Sequence, residues 1–211
     1  MAKILSSFKS GARLAFDPPA RALTRAGVSP DAITILGTVG VVAGAVIFAA
    51  RGYLIAATIV ITLCALLDVL DGAMARARGS STRYGALLDS TMDRVADGAT
   101  FGALAWWLAI DGQHVRAAVC IFCLVGGQVV SYVKARAEGL GFTCDVGIAE
   151  RMERLILVGI GALLTGFGLS WGLGAVLWLL AVLTTITVVQ RLVHVRRQEL
   201  GASRAQEGVA P

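Results

Sequence analysis

The sequence predicts an all-α integral membrane protein of six transmembrane helices, on three observations. Of 211 residues 56% are hydrophobic and only 16% charged, against about 25% charged in soluble domains. Six apolar segments can be drawn, over residues 32–50, 53–75, 86–110, 115–137, 152–169 and 172–193, each close to the ~20 residues that a spanning helix needs. None of them alternates with a period of two, which argues against strands.

Ahead of the first segment, Met1 to Ala15 lacks the long apolar core of a signal peptide. Ile4, Leu5, Phe8 and Ala12 fall on one helical face, with Lys3, Lys9 and Arg13 elsewhere. That pattern fits either a juxtamembrane amphipathic helix on the cytoplasmic surface or a mobile polar tail. Gly and Pro punctuate the ends of several segments, as Pro30 does for the first and Gly85 for the third. The fourth closes on Lys134 and Arg136, the fifth opens on Arg151 and Arg154, and the sixth closes on Arg191. No linker or change of composition divides the chain, so residues 1–200 are expected to form a single membrane domain. Residues 201–211 are expected to be a disordered tail.

Charge sets the expected orientation. Sixteen of the nineteen Lys and Arg residues fall in the N-terminal stretch, the second-to-third and fourth-to-fifth connections, and the C-terminal tail. By the positive-inside rule both termini and those connections are cytoplasmic, in the cell membrane. The net charge of +5 reflects this bias, with anionic lipids or substrates as its users and no nucleic acid implied. Cys64, Cys120, Cys123 and Cys144 form no disulfide framework, and Cys120-x-x-Cys123 is read as two small apolar side chains. His114 falls on the outer side and His194 near the tail, so neither is read as a catalytic base.

Acidic residues are the exception to the apolar pattern. Asp68 and Asp71 share one face near the end of the second segment, and Asp89 and Asp93 share one face near the start of the third. An ionised carboxylate in a membrane helix costs about 2.5–3.5 kcal/mol on insertion scales, so four of them are functional unless paired. Few basic residues lie at that depth to pair them. Two antiparallel helices would bring the carboxylates together, and two divalent cations would compensate the charge. All-oxygen ligation suits Mg²⁺, Mn²⁺ or Ca²⁺ and not zinc. A cation transporter would also carry membrane acids, but it has no use for the small residues Gly72 and Ala75 beside Arg76. These let a nucleotide approach the helix backbone, with Arg76 pairing a phosphate. Gly85 lets the following turn pass close by.

The full pattern Asp68-x-x-Asp71-Gly72-x-x-Ala75-Arg76-x8-Gly85-x-x-x-Asp89-x-x-x-Asp93 resembles the CDP-alcohol phosphotransferase family at every specified position. Four further stretches are similar to that family's actinobacterial phosphatidylinositol phosphate synthases. They are Ser29 to Gly37, Ser131 to Glu138, Glu150 to Leu155 and Gln190 to Leu192. The resemblance implies that a hydroxyl attacks the β-phosphorus of CDP-diacylglycerol and that CMP leaves. It implies Asp68, Asp71 and Asp89 as ligands to two Mg²⁺ ions, with Mn²⁺ as a substitute. Asp93 is implied as the general base and also as a member of the metal shell. Asp31, Thr34 and Thr82 are implied in CDP contact, beside Gly72, Ala75 and Arg76. It also implies a homodimer. Gly40-x-x-x-Gly44 and Gly98-x-x-x-Gly102 would allow close helix contact, within a protomer or between two.

The acceptor is read from the basic residues. Lys134, Arg136, Arg154 and Arg191 cluster at the cytoplasmic ends of segments four to six, as a receptor for a phosphate monoester would. The resemblance assigns Lys134, Arg154 and Arg191 to the phosphate of myo-inositol phosphate. Glycerol 3-phosphate, the acceptor of phosphatidylglycerophosphate synthases, is the alternative. Asp97, one turn beyond Asp93, stays outside the catalytic set.

Overall fold

The computed structural model describes residues 18–77 and 82–207, without the side-chain surroundings of 68, 69, 75, 77 and 202–207. The expected N-terminal surface helix lies outside the described residues. The described chain is helical, with a helix α1 over 18–25 followed by α2 (Pro30–Ile47), α3 (Leu54–Ala77), α4 (Arg83–Ile110), α5 (His114–Gly139), α6 (Arg151–Gly166) and α7 (Gly172–Glu207). These last six correspond to the six apolar segments. Four stretches are long and apolar enough to cross a membrane: Pro30–Arg51, Leu54–Met74, His114–Gly139 and Gly172–Gly201. Of the other two helices, α4 is interrupted by Asp89, Asp93, Arg94 and Asp97. The 16 residues of α6 rise only about 24 Å, short of a ~30 Å hydrocarbon core. Apolar side chains stand exposed on these helices, including Leu36, Leu63, Trp106, Trp178 and Val182. A lipid solvent accepts such a surface and water does not.

The chain forms two compact units, residues 1–103 and 104–211, with α4 running through the boundary. In the first, Ser29 caps α2 by accepting from the Ala32 N–H at 3.2 Å, and Pro30 opens the helix. The helix ends where Arg51 donates to the Val46 and Ile47 carbonyls, and Gly52 at φ +78° turns the chain into α3. Glycines set how closely α2 and α3 pack. A Cβ on Gly40 would stand 2.5 Å from Cys64 Sγ, and one on Gly44 2.9 Å from Val60 Cγ1. The Gly40/Gly44 pair therefore works within the protomer. A small core of Ala20, Ile33, Leu70, Ala73 and Met74 joins α1, α2 and α3 beneath the acidic end.

In the second unit α7 packs against both α5 and α6. Gly126 of α5 lies under Thr184, and Gly161 of α6 lies under Val176. Cys120 and Cys123 are fully buried and all four cysteines are free thiols. At the far end from the basic cluster, Arg116 donates to the Ser170 carbonyl at 3.0 Å, tying the start of α5 to the α6–α7 turn.

Two boundaries differ from expectation. The fifth apolar segment is expected to reach residue 169, but α6 stops at Gly166 because Gly168 adopts φ +101°. The Gly168 and Leu169 N–H groups then cap the Thr165 and Leu164 carbonyls. Conversely, α7 continues to Glu207, into the stretch expected to be disordered. Ala202, Arg204, Ala205, Gln206 and Glu207 are good helix formers that extend a helix already nucleated. Residues 208–211 lie outside the description.

Candidate active site

The acidic residues lie in the first unit. Asp71 sits on α3 at 7% exposure, beside the apolar residues Leu70 and Ala73. The Thr34 hydroxyl, on α2, lies within hydrogen-bond reach of the Asp71 carboxylate and 3.2 Å from the Pro30 carbonyl. A buried carboxylate held by a hydroxyl has its orientation fixed, as a metal ligand requires. Asp89 and Asp93 are half-buried on one face of α4, and Arg94 Nη2 lies 3.6 Å from Asp93. Asp97, one turn on, is 3% exposed.

The side chains of Asp68 and Ala75 lie outside the described residues. Among the described residues no three carboxylates group around one ion position. The donor chemistry still fits a hard cation, since Asp71, Asp89, Asp93 and Thr34 offer only oxygen.

Next to these acids the expected nucleotide contacts lie at the starts of α2 and α4 and at the end of α3. Thr82 caps α4, its hydroxyl accepting from the Gly85 N–H at 2.9 Å. A Cβ on Gly85 would lie 3.0 Å from that hydroxyl and 3.4 Å from Asp31 Oδ1. Asp31 and Thr82 therefore meet across Gly85, which has no side chain to separate them. Thr34 follows Asp31 on the same face of α2. Gly72 lies under the Arg76 side chain, with a Cβ position 3.4 Å from Arg76 Nη1, so the exposed guanidinium folds back along α3.

The basic residues lie in the second unit. Arg154 is only 2% exposed, and its Nη1 faces the Gly127 carbonyl at 3.4 Å. Gly127 is the cradle: an added Cβ would stand 2.9 Å from Arg154 Cζ. Arg191, at 3% exposure, donates from Nε to the Val146 carbonyl at 2.8 Å and from Nη1 to the Val130 carbonyl at 2.6 Å. Its Nη2 lies 3.2 Å from Glu150 Oε1. Lys134 Nζ lies 2.6 Å from Asp145 Oδ1 and 3.8 Å from Glu138 Oε1. That ammonium, through its hydrogen bond first and its charge second, holds the exposed Asp145 carboxyl below its ordinary value. Arg136 is exposed, about 200° around α5 from Lys134.

Gly127, Asp145, Glu150 and Thr187 were not among the expected residues. Thr187 accepts from the Ile148 and Ala149 N–H groups and so fixes the α5–α6 connection to α7. Only Glu150 lay inside a stretch that the sequence singled out.

Comparison with known proteins adds three findings. A family model described as CDP-alcohol phosphatidyltransferase matches residues 27–190. A phosphatidylinositol phosphate synthase of Mycobacteroides abscessus is 48% identical over 188 residues, covering 88% of this chain and 85% of that protein. One of Streptomyces avermitilis is 49% identical over 196 residues, covering 89% and 80%. The crystal structure of the Mycobacterium tuberculosis phosphatidylinositol phosphate synthase with CDP-DAG bound superposes with a TM-score of 0.82 at 47% identity. It covers 85% of this chain and 92% of that one. The same enzyme in complex with manganese and citrate also gives 0.82, at 85% and 88% coverage.

Proposed function

The chain belongs to the CDP-alcohol phosphatidyltransferase family, and from that premise we infer that it transfers phosphatidyl from CDP-diacylglycerol to myo-inositol phosphate. The products are phosphatidylinositol phosphate and CMP. The observation that carries the acceptor assignment is the pair of buried guanidiniums, Arg154 and Arg191, with Lys134 beside the same connection. A guanidinium meets a phosphate monoester with charge-assisted, forked hydrogen bonds, and burial holds it in one place to do so.

In the reaction an inositol hydroxyl oxygen forms a bond to the β-phosphorus of the CDP-lipid. The bond from that phosphorus to the bridging oxygen breaks, and CMP departs with the electron pair. Asp93 takes the hydroxyl proton, and Arg94 at 3.6 Å steadies its carboxylate. Asp31, Thr34, Gly72, Ala75, Arg76 and Thr82 orient the cytidine diphosphate. Asp68, Asp71, Asp89 and Asp93 would hold two divalent ions, Mg²⁺ with Mn²⁺ as substitute. Such ions neutralise the pyrophosphate and the charge developing on the leaving group.

All six helices α2 to α7 are assigned as spans of a single domain over residues 1–200, with both termini and the active site at the cytoplasmic face of the cell membrane. The charged helix α4 is then tolerated because its acids line the site and do not face lipid. A homodimer is assigned on the family's habit and on Gly98 and Gly102. Among the described residues nothing lies within 4 Å of a Cβ at either glycine, so that face is open to a second copy. Mass spectrometry of lipid extracted from vesicles carrying the purified protein, CDP-diacylglycerol, inositol phosphate and Mg²⁺ tests the reaction. Phosphatidylinositol phosphate as the new lipid supports it, and its absence with active protein rejects it.

A further inference from the structure

Lys134 and Arg191 are each met by a carboxylate from the α5–α6 connection. Lys134 is paired with Asp145 and, more distantly, Glu138, while Arg191 is paired with Glu150. The two pairs differ in kind. Arg191 is 4% exposed in its side chain and also binds two carbonyls, so it is locked in place. The Asp145 side chain is 78% exposed and Lys134 36%, and both can move.

The backbone around Asp145 is held on both sides. Gln198 Oε1 accepts from the Thr143 N–H and hydroxyl at 3.1 Å each, and Gln198 Nε2 donates to the Thr143 carbonyl at 2.7 Å. Cys144 is fully buried, and Arg191 grips the Val146 carbonyl. Asp145 can therefore release Lys134 by rotating its side chain alone.

Carboxylate and phosphate oxygens compete for the same ammonium protons. We propose that Asp145 is an internal stand-in for the acceptor's phosphate, occupying Lys134 until the phosphate exchanges with it, and thereby sets the affinity for phosphorylated acceptors. A phosphate monoester carries nearly two charges and displaces a single carboxylate. A neutral polyol offers only hydroxyls and does not, so it leaves the ion pair in place and gains nothing from Lys134. This deepens the proposed function and rests on Lys134 as a phosphate ligand.

The test is the KM for inositol phosphate at saturating CDP-diacylglycerol and Mg²⁺, in the wild type, Asp145→Asn, Lys134→Gln and the double variant. An exposed ion pair corresponds to about a two- to fivefold effect. Asp145→Asn should lower the acceptor KM by that factor, leave the KM for CDP-diacylglycerol and for free inositol unchanged, and so widen the preference over free inositol. Lys134→Gln should raise the acceptor KM, and in its background Asp145→Asn should change nothing. A raised KM in Asp145→Asn would make Asp145 a positioning residue and overturn the proposal, as would an unchanged KM in either single variant. Asp145 is exposed, so the variants are expected to keep the wild-type thermal midpoint, which is checked alongside. A wild type that uses glycerol 3-phosphate and not inositol phosphate sinks the acceptor reading instead, and the same four proteins then test the exchange with that phosphate.

Discussion

Gly127→Ala probes the acceptor pocket without removing any charged group. The new Cβ would stand 2.9 Å from Arg154 Cζ and 3.2 Å from both Nε and Nη1. Carbon contacts are comfortable only at about 3.5–4.0 Å, so the guanidinium must withdraw by roughly 0.6 Å or more. It is the end of a flexible side chain, and it moves more readily than the backbone of α5. The withdrawal takes Arg154 out of line with the acceptor's phosphate. A hydrogen bond to a charged group is worth about 1.5–3 kcal/mol, which corresponds to roughly a ten- to 150-fold rise in acceptor KM. The assay is CMP release with varied inositol phosphate at saturating CDP-diacylglycerol. The KM for the lipid should hold, and Gly127→Ala should add little in an Arg154→Ala background. An unchanged acceptor KM in a folded Gly127→Ala protein would refute the role given to Arg154.

Other substitutions separate the remaining roles. Asp93→Asn should abolish CMP release while CDP-diacylglycerol binding, followed by protection against thermal unfolding, survives; normal turnover would remove Asp93 as the base. Thr34→Val deletes the hydroxyl beside Asp71 and should raise the Mg²⁺ concentration for half-maximal activity about tenfold or more, as loss of a ligand's supporting hydrogen bond does. An unaltered Mg²⁺ dependence would mean that Asp71 does not need Thr34. Gly44→Val places side-chain atoms where Val60 Cγ1 already lies 2.9 Å from the Cβ position. Overpacking of this kind costs about 1–3 kcal/mol, and it should lower the thermal midpoint in detergent, whereas an unmoved midpoint would show that α2 and α3 separate easily.

The helices were legible because apolar length and charge placement carry the signal, and tertiary contacts only trim the ends. The α6 terminus was missed because Phe167 and Leu169 extend the apolar run while Gly168 turns it, and a glycine's left-handed φ does not show in composition. The acids stand out in the sequence for a different reason: carboxylates three or four apart in an apolar run have few bland explanations. The basic residues were visible as a group, but their roles were not. Arg191 and Arg154 are both buried cations, yet one clamps a connection through two carbonyls and a glutamate while the other rests over Gly127. Those pairings depend on how the α5–α6 connection folds through Gly141 at φ +86° and Gly147 at φ +148°. Nothing local at Asp145 or Gly127 announces a partner 11 or 27 residues away.

The most direct test of the central claim is the rate of CMP release by the purified protein with CDP-diacylglycerol and Mg²⁺, comparing inositol phosphate, glycerol 3-phosphate and free inositol at equal concentration. Release with inositol phosphate, and little with the other two, is the predicted result. Faster release with glycerol 3-phosphate would contradict the acceptor assignment while leaving the aspartates and their chemistry in place.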